Sequence, residues 1–164
     1  MALKYYRRQS LTPQITAPHC FALPNIQTMS FLGLSSNSPL ALNLGAAAGV
    51  FQLTLGLTAV FQPRVMLQEV WGFKPASTPG QDQILVDSLM QLYGVRNIAL
   101  GLMILAVRAL ADSRTLGWVV MTDLLVAFGD GFVQKKCTGG GQWKHWGFLP
   151  IGCSMVMLLL GYFD

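Results

Sequence analysis

Apolar residues in this chain do not alternate with polar ones. They run in four long blocks, separated by short polar stretches rich in Pro and Gly. The first block covers about Ala41 to Gln62, carries no charge, follows Asn37, Ser38 and Pro39 as start signals, and ends at Pro63. Residues 63–80 read as a polar connection holding Arg64, Glu69, Trp71 and Lys74, broken by Pro75, Pro79 and Gly80. The second helix is expected from near Thr78, an N-cap ahead of Pro79, to about Ala111. Asp112, Ser113 and Arg114 leave room only for an antiparallel hairpin. The third helix then covers about Thr115 to Val133 and stops in Lys135, Lys136 and the run Gly139, Gly140 and Gly141. The fourth covers roughly Trp146 to Phe163, with Pro150 tolerated near its start.

Blocks of this length match a hydrocarbon core about 30 Å thick at about 1.5 Å per residue. The expected fold is all-α: an integral membrane four-helix bundle over residues 41–164, multi-pass, behind a flexible N-terminal tail over residues 1–40. The tail is acid-poor and Ser-rich, with Lys4, Arg7 and Arg8. That suits a cytosolic tail, with an organelle transit peptide as the alternative.

Composition narrows the function classes. The 164 residues are 52% hydrophobic and only 11% charged, against about 25% charged in soluble domains. The net charge of +4 is scattered, with no basic run interleaved with aromatics, so nucleic acid is not an expected partner. Cys20, Cys137 and Cys153 are widely spaced and form neither a disulfide framework nor a metal motif. Neither a metal nor any other cofactor is expected. Orientation stays open. Lys4, Arg7, Arg8, Arg108 and Arg114 fall on one side, and Arg64, Lys74, Lys135, Lys136 and Lys144 on the other, so the positive-inside rule returns a tie.

The candidate chemistry lies in the ionisable groups that interrupt the helices. A charge at the middle of a spanning helix costs at least about 2.5–3.5 kcal/mol, which makes such groups functional suspects. Arg96 lies about 16 residues before the hairpin turn and Asp130 about 17 after it, so both sit roughly 25 Å from the turn. They are level on neighbouring helices, where an ion pair can form. Asp123 shares a face with Asp130, about 10 Å deeper. Tyr93 and Asn97 flank Arg96, and the connections carrying Trp71, Trp143, His145 and Trp146 close the same end. Asp87, two turns out and nearly opposite Arg96, belongs at the membrane interface. The plainer readings remain beside these: structural glue for Arg96 and Asp130, a hydrogen bond from Thr122 or a neighbouring helix for Asp123, and a solvated loop for His145.

The segment Tyr93-Gly94-Val95-Arg96-Asn97-Ile98-Ala99-Leu100-Gly101-Leu102 resembles the YGxRdxxlGl signature of a mainly fungal family of small four-helix membrane proteins. That family is of unknown function and distantly similar to the DoxX-like group. Trp71-Gly72-Phe73-Lys74-Pro75 is similar to its fGxP element, and Leu124 to Asp130 with Gly131 fits its xxxxGD segment. The resemblance covers about residues 40–164. It implies the fold, Arg96 and Asp130 as a signature pair, and a setting beside polyketide and terpenoid pathways. One departure is Asn97, which stands where relatives often carry an acid.

The leading expectation is therefore a cofactor-free membrane enzyme, a hydrolase, cyclase or isomerase that opens, for example, an epoxide of a lipophilic polyketide or terpenoid. Asp123 would supply the proton and Asp130, held ionised by Arg96, would act as base or nucleophile, assisted by Tyr93 and His145. Asn97, Trp71, Trp143 and Trp146 would bind the substrate. The expected partners are that lipophilic molecule and membrane lipid, with a homo-oligomer as a further state, and the expected location is the endoplasmic reticulum or another internal membrane. The alternative is a non-enzymatic accessory or scaffold subunit, or a small carrier.

Overall fold

A computed structural model describes residues 35–73 and 80–164, and the described residues contain helices and no strand. The tail expected over residues 1–40 lies almost wholly outside them, as do Lys74 and the expected cap Thr78. Helix α1 spans Pro39–Phe61, with Ser38 as its N-cap accepting a hydrogen bond from the Ala41 amide. It stops where expected, because the residue before a proline is pushed out of the helical region. Gln62 sits at φ −133° before Pro63. The chain then turns into a short helix not foreseen in the polar connection, α2, Pro63–Glu69, which buries Met66 and Leu67.

Helix α3 spans Gln81–Leu110, with extended Gly80 as its N-cap, so it begins two residues later than the Thr78–Pro79 reading. The hairpin forms as expected. Asp112 caps α4, Ser113–Thr138, by accepting from the Thr115 amide at 2.7 Å. This helix runs five residues beyond Val133, through both lysines, and ends on Gly139 at φ 74°. That is a left-handed conformation for which glycine pays no Cβ penalty.

The fourth expected helix is interrupted. A single turn, α5, Trp143–Trp146, is followed by α6, Leu149–Leu159. Pro150 explains the break, since it lacks the N–H that would bond the Trp146 carbonyl and its ring crowds that position. At 11 residues, α6 is about 16 Å long, roughly half a bilayer core. Three helices, α1, α3 and α4, are long and apolar enough to cross a membrane.

Glycines set the packing. A Cβ added to Gly56 would lie 2.7 Å from the Gly94 carbonyl oxygen, and one added to Gly101 would lie 2.7 Å from that of Gly49. The seven-residue spacing on both helices repeats the contact along one face, and α1 and α3 pack antiparallel with their backbones nearly touching. The α4–α6 contact is different. Gly152 faces the Leu124 side chain and Gly117 the side chains of Leu159 and Leu160. One core cluster, with Ala41, Leu116, Val120, Val156 and Leu159, joins α1, α4 and α6 at one end. A second, with Ala59, Met66, Leu67 and Trp71, closes the other. Ser36 adds a tie to the first end, donating from its amide and hydroxyl to the Asp164 carboxylate at 2.7 and 2.6 Å. Between the two clusters α1 and α4 meet only sparsely, and a cavity opens.

Candidate functional site

Residue counting along the hairpin places Arg96 and Asp130 at one level, and their side chains meet there. Arg96 Nη2 donates to Asp130 Oδ2 at 2.6 Å, and the guanidinium lies 4.9 Å from the centre of the Tyr93 ring. Tyr93 stands edge-on to Trp71 at 5.5 Å, and Trp71 lies 5.2 Å from His145. Gln134, almost fully buried on α4, fixes this group by donating to the carbonyls of Val70 and Trp71 at 3.2 and 3.0 Å. Lys144 donates to the Glu69 carbonyl, drawing the turn around α5 onto the end of α2.

Deeper in the fold, Asp123 is buried and accepts from Gln52 Nε2 on α1 at 2.6 Å. Its partner is therefore on the neighbouring helix. Thr122 donates back to the Trp118 carbonyl instead. The two carboxylates on one face of α4 thus have unlike partners: a neutral amide for Asp123 and a full positive charge for Asp130.

Both carboxylates line a cavity of about 470 Å³, within the roughly 300–1,000 Å³ of small-molecule sites. Tyr93, Asn97, His145, Glu69 and Lys144 make its polar end, and Leu44, Ala47, Ala48, Val120, Leu124 and Met155 its apolar remainder. His145 is a buried wall residue, and burial pushes its imidazole below the ordinary range.

Of the nine residues singled out from the sequence, Asp123, Asp130, Tyr93, Asn97 and His145 line this cavity. Arg96 stands behind Asp130, and Trp71 behind Tyr93 and His145. Asn97 spends its amide on the Tyr93 carbonyl one turn back. Trp143 and Trp146 are not among the residues that line this cavity. Trp143 is 71% exposed. Trp146 packs on Phe128 and Phe132 and donates to the Phe128 carbonyl at 3.1 Å. Asp87 pairs with exposed Arg64 at 3.2 Å near the start of α3, away from Arg96. Cys137 and Cys153 are free and exposed.

Sequence reasoning missed Gln52 and Gln134. Gln52 had a signal available, a carboxamide in the middle of an otherwise apolar helix.

No curated protein and no solved structure matches the chain. A family described as a domain of unknown function, DUF4267, matches residues 49–161. That range takes in the glycine contacts, both carboxylates, Arg96 and every cavity-lining residue from Phe51 onward, and the chain belongs to this family of unknown function.

Proposed function

We propose that this chain is a multi-pass membrane protein in which α6 serves as a fourth, short element, entered from the turn α5 at the membrane edge. We further propose that it acts without a cofactor on a lipophilic small molecule held in the cavity. The membrane reading is supported by the outward faces of the long helices. Phe61, Ile84, Leu92, Leu110 and Leu125 are 60% exposed or more, a surface suited to lipid and not to water. Recovery of the chain in the soluble fraction without detergent would overturn it. An internal membrane and a distant DoxX likeness belong to the same reading.

One observation carries the enzymatic part: two carboxylates with unlike partners face one largely apolar cavity. An epoxide, for example, needs a proton delivered to the opening oxygen and a base that activates water or an internal hydroxyl. Asp123, whose partner is a neutral amide, is assigned the first role, and Asp130, opposite Arg96, the second. Tyr93 and His145 border the same space and are assigned to assist. The reaction would be hydrolysis, cyclisation or isomerisation of a polyketide or terpenoid intermediate.

The test is to express the chain beside the synthase and oxygenase that supply candidate intermediates, and to follow which intermediate is consumed. Asp123→Asn and Asp130→Asn should each lower turnover per folded molecule by about 100-fold or more, the usual contribution of a general acid or base. Normal turnover in both variants would sink the catalytic assignment. The accessory or carrier reading would then stand, with Arg96 and Asp130 as a tie between α3 and α4.

A further inference from the structure

The cavity is unlike at its two ends, and it is open on one side. Tyr93, Asp130 and His145 gather at the end capped by α2 and α5, with Asp123 part-way down. From there the lining becomes apolar toward Leu44 and Met155. The open side lies between α1 and the chain entering α6. Four lining residues there remain largely exposed: Leu44 at 44%, Phe51 at 47%, Phe148 at 56% and Ile151 at 73%. A wall residue can be exposed to that degree only where the wall is also the outside of the protein. Across the slot the Phe51 and Phe148 rings approach to 5.7 Å between centroids, tilted by 49°. That contact involves only side chains, and aromatic rings turn about two torsions without moving either helix. At the far end α1 and α6 are held by the packing of Ala41 against Val156 and Leu159, and by the Ser36–Asp164 bonds. The slot is therefore bounded at its deep end and parted only by two rings higher up.

We propose that the cavity is loaded sideways from the hydrocarbon phase, through the slot between Phe51 and Phe148. The occupant is a single-headed lipophile. Its oxygen-bearing end reaches Asp123 and Asp130, and its apolar chain lies toward Leu44 and Met155. This deepens the proposed function and rests on its membrane reading. The exposed slot faces the same medium as the outward faces of α1 and α4, so a molecule dissolved in the bilayer meets it without crossing water. The polar end, closed over by Trp71, His145 and the Lys144–Glu69 bond, presents charged groups that an apolar chain would have to pass. With the head at the carboxylates and the chain toward Leu44 and Met155, each end of the ligand meets lining of its own kind and no carboxylate lies against hydrocarbon.

The experiment uses the full chain in phosphatidylcholine vesicles and, as probe, a dodecylphenol carrying a diazirine on its chain. In a background with Cys20→Ser, Cys137→Ser and Cys153→Ser, the pair Phe51→Cys and Phe148→Cys is bridged by a short reducible thiol linker. The unbridged chain should be photolabelled on cavity-facing residues of α1 and α6. Ala48→Phe, which fills the cavity, should remove that label. Bridging should slow labelling by about tenfold or more, because a closed gate limits the rate while the site behind it is untouched. Reduction of the linker should restore it. A loss that reduction does not restore reports damage to the fold. Phe51→Ala with Phe148→Ala then decides, since opening the slot must speed labelling, and an unchanged rate overturns the proposal. Equal labelling of bridged and unbridged chains overturns the sideways route, while leaving the acid–base assignment to the Asn variants. Label that survives Ala48→Phe, or no label at all, overturns the cavity as the binding site.

Discussion

Removing either partner of the Arg96–Asp130 pair asks how far the two charges depend on each other. The structure puts the pair between two regimes. Breaking a fully buried pair costs about 3–5 kcal/mol, whereas an exposed pair contributes about 0–1 kcal/mol. Asp130 keeps only 15% of its side-chain surface exposed, and Arg96 keeps 43%. Arg96→Ala therefore strands the more enclosed charge and should cost about 2–3 kcal/mol. Asp130→Ala strands a long side chain that can swing its guanidinium toward water or headgroups, so about 1–2 kcal/mol is expected. The double variant should lose less than the sum of the single losses by about 1–2 kcal/mol. The assay is the unfolding midpoint of all four chains in one mild detergent, followed by circular dichroism. Strictly additive losses would refute a direct interaction. A larger loss for Asp130→Ala than for Arg96→Ala would refute the exposure argument while keeping the contact.

Gly56→Val should lower the same midpoint by about 1–3 kcal/mol, because the added carbon is driven into the Gly94 carbonyl. Gly129→Ala, with nothing within 4 Å of its added carbon, should not lower it. Gln52→Leu keeps the volume but takes from buried Asp123 its only side-chain donor among the described residues, and a loss of about 1–3 kcal/mol is expected. A wild-type midpoint would show that Asp123 has another partner. For His145 the sign follows from burial. Its imidazole titrates below the ordinary 6.5, so the unfolded chain takes the proton first. Its share of stability is complete above about pH 6.5 and drains away as the pH falls toward the lower folded value. His145→Phe should flatten that acid-side fall in a pH series of midpoints, and an unchanged slope would contradict it.

Helix register was the legible part of this chain, because the rise per residue is fixed by the backbone. Counting from Asp112 was enough to pair Arg96 with Asp130 and to set Asp123 deeper on the same face. Rotation about the axis was harder where the helix is short. His145 and Trp146 are adjacent in sequence, yet about 100° apart around a helix. His145 therefore turns into the cavity while Trp146 turns onto Phe128 and Phe132. With no long periodic pattern around α5, both read as one lid. The effect of Pro150 depends on whether the Trp146 carbonyl has another role, which spacing does not reveal. Gln52 escaped notice because an uncharged amide does not interrupt an apolar run as an aspartate does. Its importance comes from Asp123, on another helix and 71 positions away.

The two kinds of glycine contact make the walls of the cavity unequal in evolvability. Along the α1–α3 seam Gly49, Gly56, Gly94 and Gly101 lie against the other helix's backbone, which has no smaller form to retreat to. Substitutions on that side displace whole helices. On the α6 side the glycines lie against leucine side chains, and Ile151, 73% exposed, lines the cavity at its open side. A lineage, or a designer, can therefore change the size of molecule this site accepts by altering α6 one side chain at a time, while the α1–α3 pair is carried forward unaltered.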